Sequence, residues 1–97
     1  MKIRNINELK NILDKSDRYA IVDIRTKEEF EKAHIPGSHN VPVDQITTGI
    51  PKFSNYETVY VHCGSGNRVK LAAELLRSLL PNNLQLIENC GFKNWRS

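Results

Sequence analysis

A cysteine at the end of an apolar run, followed five residues later by an arginine, is the most chemically specific feature of this sequence. The segment reads Val59-Tyr60-Val61-His62-Cys63-Gly64-Ser65-Gly66-Asn67-Arg68. Its β-branched and aromatic start predicts a strand, its glycines predict a tight loop, and the residues that follow predict a helix. A thiol at the first position of such a loop is a candidate nucleophile.

The predicted loop also has the features of an anion-binding site. A short turn into a helix N-terminus points several backbone N–H groups inward, and the helix dipole adds partial positive charge. Gly64 and Gly66 permit the positive φ angles that such a turn needs, and Arg68 adds a full positive charge. We therefore expect Cys63 to be ionised and catalytic, and the loop to bind an anionic substrate through Gly64, Ser65, Gly66, Asn67 and Arg68.

Apolar runs elsewhere in the chain predict further strands. Residues 20–24 are almost continuously apolar, residues 84–87 form a final short strand, and residues 39–43 form a weak strand that Pro42 limits. Helical segments separate these runs, which implies parallel pairing. The sequence therefore predicts an α/β fold, with a small, open, mainly parallel sheet that has helices on both faces.

Helix signals mark the segments between the strands. Apolar residues at helical spacing predict a helix over 6–13, capped by Asn5 or Asn7. Thr26 and Glu29 have the spacing of a capping box, which predicts a short helix after Thr26. A third helix follows Arg68 and ends before Pro81, with one apolar stripe expected to pack in the core: Ala72, Leu75, Leu76, Leu79 and Leu80.

Polar residues follow two of the predicted strands. Cys63 follows the strand at 58–62, and Asp23 and Arg25 lie at the end of the strand at 20–24. Ligands of open parallel sheets bind beyond the carboxyl ends of the strands. We therefore expect the cysteine and the Asp23–Arg25 pair to share one edge of the sheet.

Length and composition limit the possible function classes. Ninety-seven residues with 39% hydrophobic content suit one domain, 1–97, and the net charge of +3 comes without a basic, aromatic cluster that would indicate nucleic-acid binding. The two cysteines have no metal-type spacing and form no disulfide framework, which predicts a reducing compartment. No signal peptide or membrane-spanning run is evident. We expect a cytoplasmic domain with no metal, no cofactor and no membrane partner.

Three segments, taken in order, resemble the single-domain rhodaneses, a family of sulfurtransferases. The first is similar to the family's D-x-R strand, acidic helix and H-I-x-G turn: Asp23-Ile24-Arg25, Glu28-Glu29-Phe30 and His34-Ile35-Pro36-Gly37. The second is similar to its C-x-x-G-x-R active loop: Cys63-Gly64-Ser65-Gly66-Asn67-Arg68. The third is similar to its terminal strand, G-G turn and tryptophan: Leu86-Ile87-Glu88-Asn89-Cys90-Gly91-Phe92 and Trp95.

The resemblance implies a fold, a reaction and a set of roles. A thiolate at Cys63 would take the outer sulfur of thiosulfate or a similar small anionic donor and form a persulfide. Cyanide, a small-molecule thiol or a sulfur-acceptor protein would then remove that sulfur in a second half-reaction. By the same resemblance, Asp23, Arg25 and His34 would support the structure near the site without taking part in the chemistry.

The sequence departs from the family pattern at three positions. Ala33 stands where the family usually has glycine, and Gly64 stands where many active members have a larger, often charged residue. Arg68 is then the loop's only cation, so we expect modest thiosulfate binding. Cys90 replaces the first glycine of the terminal pair and places a second thiol in a loop expected on the same broad side as the active site.

Several alternatives to a sulfurtransferase remain open from the residues. A phosphatase or arsenate reductase uses a loop one residue longer, C-x5-R, so the four residues between Cys63 and Arg68 disfavour a pocket for phosphate. A persulfide carrier or regulatory module with little turnover would share the same cysteine. Cys90 is either an incidental turn residue or a relay thiol. Arg68 either binds an anion or braces the loop.

The three histidines do not require a catalytic role. Strand alternation points His62 away from the side chain of Cys63, so we expect a packed strand residue. His34 is expected to be a turn residue hydrogen-bonded to backbone, and nothing distinguishes His39. The histidines have no metal-ligand spacing.

Overall fold

Four parallel strands form the sheet of this protein, for which a computed structural model describes residues 3–96. The strand order is β2-β1-β3-β4, with these bounds: β1 Tyr19–Asp23, β2 His39–Asn40, β3 Thr58–His62 and β4 Leu84–Leu86. Val22 pairs with Val61, and Asp23 pairs with His62. The carboxyl ends of β1 and β3 therefore lie side by side, and the predicted parallel α/β fold is confirmed.

Residues 3–96 also form three α-helices and four 3₁₀ segments, before, between and after the strands. The α-helices are α1 Lys27–Lys32, α2 Ile46–Gly49 and α3 Asn67–Leu79. The 3₁₀ segments are Ile6–Ile12, Val43–Gln45, Ile50–Phe53 and Phe92–Asn94. Thr26 and Glu29 form the predicted capping box at the start of α1, with hydrogen bonds of 3.0 and 3.1 Å. Asn5 caps the first 3₁₀ segment by accepting a hydrogen bond from the N–H of Asn7.

Each face of the sheet has its own hydrophobic core. Side chains alternate along β1 and β3, so Val22 and Val61 face α3 while Ile21 and Tyr60 face the opposite side. The α3 side also contains these buried residues: Ile24, Val41, Ile46, Ile50, Cys63, Val69, Leu76 and Leu80. The opposite side contains these: Ile3, Ile6, Leu9, Ile12, Ile35, Ile87 and Cys90. Helices thus cover both faces, as the sequence predicted.

Two predicted helices differ in detail from the structure. The first is a 3₁₀ helix, because its buried residues Ile6, Leu9 and Ile12 repeat every third position, the period of a 3₁₀ turn. In α3 the prediction that Leu75 is a core residue is wrong, since its side chain is 44% exposed. The buried stripe begins one turn earlier, at Val69, and continues through Ala73 and Leu76.

Candidate active site

The loop between β3 and α3 places the thiol of Cys63 at the start of a helix. Gly66 precedes α3 with a φ of 104°, a left-handed conformation that side chains rarely adopt. A Cβ at this position would also collide with the carbonyl of Glu88. In this conformation the Gly66 N–H donates a hydrogen bond to the Cys63 Sγ at 3.1 Å. The loop therefore directs a backbone donor at the sulfur.

The sulfur itself lies beneath the loop. Cys63 is only 1% exposed and belongs to the core cluster with Ile24, Val61 and Val69. The sequence predicted several N–H groups around the sulfur, whereas the hydrogen bond found among the described residues comes from Gly66. A sulfur donor can reach Sγ only if neighbouring atoms of the loop move.

Of the two loop glycines that could adopt a positive φ angle, only Gly66 does so. Among residues 3–96, Gly37 and Gly66 have positive φ angles. A Cβ at Gly64 would meet only the Cδ of Arg25, at 3.9 Å, so the position has room for a side chain. At Gly66, in contrast, a Cβ would meet the carbonyl of Glu88, so this position requires glycine for lack of space as well as for its φ angle.

Arg68 is held by a carboxylate of α1. Its guanidinium forms two hydrogen bonds with Glu29, at 2.7 and 3.0 Å, and both side chains are about two-fifths exposed. These hydrogen bonds are the largest cause of the lowered pKa of Glu29, which falls to about 2. The charge of Arg68 is thus matched by Glu29, and the pair braces the first turn of α3 against α1.

Asp23 and Arg25 form a buried ion pair at the end of β1. The guanidinium of Arg25 donates to the carboxylate of Asp23 at 2.8 to 3.1 Å, and its Nη2 also donates to the carbonyl of Ala33 at 2.8 Å. The guanidinium lies over the ring of Phe92, 4.2 Å from its centroid. A paired, stacked arginine of this kind fixes neighbouring segments, and Gly64 packs beside its stem.

His62 packs inside the opposite core from the thiol. Its Nδ1 donates to the carbonyl of Cys63 at 3.2 Å, and its Nε2 lies 3.9 Å from the Asp23 carboxylate without a hydrogen-bond partner among the described residues. Burial is the main cause of its lowered pKa. A buried neutral imidazole on the far face of the sheet cannot deprotonate Cys63 directly.

The other predicted residues take positions in turns. His34 stacks on the ring of Phe30 at 3.8 Å, and its Nδ1 donates to the Phe30 carbonyl at 2.7 Å. Ser65 is half-buried, and its hydroxyl accepts a long hydrogen bond from the N–H of Asn67 at 3.5 Å. The exposed side chain of Asn67 begins α3. The structure thus brings the loop and the Asp23–Arg25 pair to one edge of the sheet, as expected.

The segment after β4 supports the loop from behind, a role that the sequence did not reveal. The N–H of Phe92 donates to the Cys63 carbonyl at 2.8 Å, and the N–H of Lys93 donates to the Gly64 carbonyl at 3.0 Å. Gly91 lies so close to the backbone of Gly64 that any Cβ would collide with it. Only the glycine of the terminal motif could have indicated this contact.

The loop that contains Cys90 lies beside the Cys63 loop, but the side chain of Cys90 packs in the core on the other face of the sheet from Cys63. It is 8% exposed and packs with Ile6 and Leu9 of the first 3₁₀ helix. Burial raises the pKa of its thiol, although the Ile6 N–H lowers it in part.

The described residues show no arrangement for a metal or a membrane. Within residues 3–96, no three His, Cys, Asp or Glu side chains are grouped so that they could hold a metal ion. No helix in that part of the chain has both the length and the apolar character needed to cross a bilayer.

Two contacts of the site were beyond sequence reasoning. Glu29 was recognised only as a helix cap, and its pairing with Arg68 joins residues 39 positions apart. The amide of Asn40 donates to the carbonyls of Asp23 and Arg25, each at 3.0 Å. Both contacts depend on how α1 and β2 pack, for which local spacing gives no signal.

Comparison with known proteins assigns a family to this arrangement. A crystal structure of a rhodanese-like domain protein from Staphylococcus aureus superimposes with a TM-score of 0.75 and 31% identity, covering 100% of this chain and 93% of that one. Human single-domain sulfurtransferase TSTD1 has the same fold, with a TM-score of 0.68 and 22% identity over 97% of this chain and 93% of that one.

Curated relatives are similar over part of their length. A candidate sulfur carrier protein of Bacillus subtilis, YrkF, is 30% identical over 75% of this chain and 40% of its own length. Thiosulfate sulfurtransferase PspE of Escherichia coli is 28% identical over 72% of this chain and 66% of its own length. The chain thus spans less than half of the first relative. The family model described as a rhodanese-like domain matches residues 5–97, and the chain belongs to that family.

Proposed function

We propose that the protein is a sulfurtransferase that moves sulfane sulfur from thiosulfate, or a similar small anionic donor, to cyanide or a thiol. Cys63 carries the sulfur as a persulfide between two half-reactions. The observation that carries the proposal is the hydrogen bond from the Gly66 N–H to the Cys63 Sγ at the start of α3. A backbone donor at this position stabilises negative charge on sulfur, whether in the thiolate or in the persulfide.

The first half-reaction loads the cysteine. The Cys63 thiolate attacks the outer sulfur of thiosulfate and forms a sulfur–sulfur bond. The bond between that sulfur and the sulfite group breaks, and sulfite leaves with the electron pair. The persulfide anion then lies in the loop formed by Gly64, Ser65, Gly66, Asn67 and Arg68, whose backbone N–H groups we propose as its binding site.

The second half-reaction removes the transferred sulfur from Cys63. Cyanide, or an acceptor thiolate, attacks the outer sulfur of the persulfide, and the bond to the Cys63 Sγ breaks with return of its electron pair. The products are thiocyanate, or an acceptor persulfide, and the original thiolate. No external oxidant or reductant is consumed, which agrees with a site proposed to need no cofactor.

Substrate access requires a local opening of the loop. The buried Sγ lies below residues 64–67, and the outer anchor of that loop is the Arg68–Glu29 pair. Because this pair is partly exposed, we propose that it separates or shifts when a donor enters. Asp23, Arg25 and His34 would remain as fixed support, since their side-chain hydrogen bonds are made with one another or with α1 and the residue after it, and not with the loop.

The steady-state test is formation of thiocyanate from thiosulfate and cyanide. We expect ping-pong kinetics. Double-reciprocal plots of rate against the concentration of one substrate should then give parallel lines at several fixed concentrations of the other. Intersecting lines would mean that both substrates bind before any sulfur moves, and would contradict the persulfide mechanism. Hydrolysis of an aryl phosphate that depends on Cys63 would favour the phosphatase alternative, which the four-residue spacing from Cys63 to Arg68 disfavours.

A persulfide carrier is the second candidate, and similarity to a candidate sulfur carrier supports it. Carrier and enzyme share the loaded cysteine and differ in whether a small acceptor can unload it. Intact mass after thiosulfate treatment, followed by cyanide, separates them. Loss of the added sulfur indicates the enzyme, whereas sulfur that resists cyanide indicates a carrier that delivers it to a protein partner.

The proposed location is the cytoplasm. Cys63 and Cys90 are both unpaired and lie in different cores, so neither is protected by a disulfide. A nucleophilic thiol of this kind needs a reducing compartment. The proposed partners are a small anionic sulfur donor and a thiol, cyanide or protein acceptor.

A further inference from the structure

A cationic cavity lies on the face of the sheet opposite the Cys63 thiol. Its volume is about 490 Å³, within the range of small-molecule sites. Three cations line it: Arg4 from the start of the chain, and Lys93 and Arg96 from its end. The described residues that form its walls include no aspartate or glutamate, and Asn5, Asn7 and Trp95 supply amide and aromatic surface.

The arginines of this cavity differ from the others in the chain. Four arginines have a carboxylate within 4.0 Å: Arg18, Arg25, Arg68 and Arg77. The remaining two are Arg4 and Arg96, and neither forms a salt bridge with any residue that the structure describes. Both line the same cavity, together with Lys93. Converging cations without carboxylate partners repel one another, and a bound anion would remove that cost.

Hydrogen bonds fix the walls of the cavity. The amide of Asn7 donates to the Asn94 carbonyl at 2.9 Å and accepts from the Arg96 N–H at 2.8 Å, which ties the two ends of the chain together. Glu8 lies nearby, but one of its carboxylate oxygens accepts the N–H groups of Arg4 and Asn5, each at 2.9 Å. The walls of the cavity are therefore preorganised, and the carboxylate of Glu8 is already engaged by backbone N–H groups.

We propose that this cavity binds a small-molecule anion that carries carboxylate, sulfonate or phosphate groups. Arg4, Lys93 and Arg96 neutralise its charge, and Trp95 packs against its apolar part. The ring of Trp95 already has the ammonium of Lys10 5.2 Å from its centroid, which adds positive charge at the rim. The cavity adjoins the proposed sulfur-transfer loop through Lys93, but no residue from 63 to 68 lines it, so it binds its ligand whether or not Cys63 is intact.

Fluorescence of Trp95 reports occupancy directly, because it is the chain's one tryptophan. We would titrate the full chain with pyrophosphate at constant ionic strength and follow the emission of Trp95. The matched variants are R4Q/R96Q, which removes two cavity cations, and R18Q/R77Q, which removes two cations elsewhere. We expect saturable binding to the wild type and to C63S, weakened at least about tenfold in R4Q/R96Q and less than about twofold in R18Q/R77Q.

Two results would overturn the proposal. The first is a wild-type titration without saturation, which needs no variant to interpret. The second is equal weakening in both double variants, which would show a response to net charge and not to the cavity. Because C63S transfers no sulfur under the proposed mechanism, its fluorescence titration separates failure of this site from failure of the sulfurtransferase proposal.

Discussion

The two cysteines of this chain are both buried, yet the structure gives them different surroundings. Cys63 ends β3, packs on the α3 face and accepts the N–H of Gly66 at the start of a 13-residue helix. Cys90 lies in the segment after β4, packs on the opposite face, and burial raises the pKa of its thiol. Burial alone therefore does not distinguish the two cysteines, and the proposed role of Cys63 depends on its position at the start of α3.

The surroundings of each thiol explain the difference in proposed role. The loop over Cys63 is short, ends in a left-handed glycine and is anchored outside by one partly exposed ion pair, Arg68–Glu29. The segment around Cys90 is tied by backbone contacts to the active loop itself, since Phe92 and Lys93 donate to the carbonyls of Cys63 and Gly64. One loop can open toward solvent, while the other forms the support behind it.

The largest expected effect comes from exchanging one thiol at a time. Cys63→Ser should lower the rate of sulfur transfer by at least about 1,000-fold, because a hydroxyl cannot form the persulfide. Cys90→Ser, the matched control, should keep the wild-type rate within about twofold. Thiocyanate formation measures both variants. A large loss of the transfer rate in Cys90→Ser, with an unchanged unfolding transition, would support a relay role for the Cys90 thiol.

The two loop glycines provide the next contrast. Gly66→Ala should lower the free energy of unfolding by about 2 to 4 kcal/mol, because of the φ of 104° and the collision with the Glu88 carbonyl. Gly64→Ala should lower the free energy of unfolding by less than about 1 kcal/mol, since its Cβ would make only a van der Waals contact with Arg25. Urea unfolding measures both. Equal costs would mean that the turn is not centred on Gly66.

His62 should make stability depend on pH on the Cys90 side of the sheet. Burial lowers its folded pKa from 6.5, so below that pH the unfolded chain binds a proton that the folded chain does not. The free energy of unfolding should then fall as pH decreases below 6.5, by up to about 1.4 kcal/mol per pH unit. His62→Gln should lack this slope in urea unfolding between pH 6.5 and 5. An unchanged slope would contradict a neutral, buried imidazole.

Glu29 should give the smallest effect on stability. The hydrogen bonds from Arg68 are the largest cause of its lowered pKa, which falls from 4.5 to about 2. The pair therefore stabilises the fold fully above pH 4.5, and this stabilisation is lost as pH falls toward about 2. Solvent screens this exposed pair, so Glu29→Gln should cost about 1 kcal/mol or less at pH 7. Urea unfolding at several pH values measures the difference, which should shrink below pH 4.5.

The rate of sulfur transfer provides a second test of the Arg68–Glu29 ion pair. Glu29→Gln should change the transfer rate several-fold, because it releases the outer anchor of the loop. Glu57→Gln is the matched control and should leave the rate unchanged, because it breaks the exposed pair with Arg18 at the amino-terminal ends of β1 and β3, opposite the loop. Identical rates in both variants would mean that Arg68–Glu29 does not control the loop.

The sequence predicted most of the architecture because local signals define it. The apolar runs at β1 and β3, the Thr26 capping box and Pro81 after α3 each have a local physical cause. The 3₁₀ character of the first helix was not predicted, although the spacing of Ile6, Leu9 and Ile12 contained the signal. The pairing of Arg68 with Glu29 was not predictable, because it depends on how α1 packs beside α3.

The site shows the same division between local and long-range information. The Cys63 loop was located from glycines and one arginine, all within six residues. The positive φ angle falls on Gly66 and not on Gly64, and the side chain of Cys90 packs in the core opposite Cys63. Neither detail could be predicted, because each depends on contacts made by the residues after β4. Contacts between segments distant in sequence, such as Gly91 against Gly64, leave no pattern in either segment alone.

The most direct test of the account is to find which sulfur atom becomes loaded. The wild-type protein would be treated with thiosulfate, blocked with an alkylating agent and cleaved into peptides for mass spectrometry. We predict one added sulfur on the peptide that contains Cys63 and none on the peptide that contains Cys90. Added sulfur on Cys90 alone, or on neither peptide, would contradict the proposal that the Gly66-capped loop carries the persulfide.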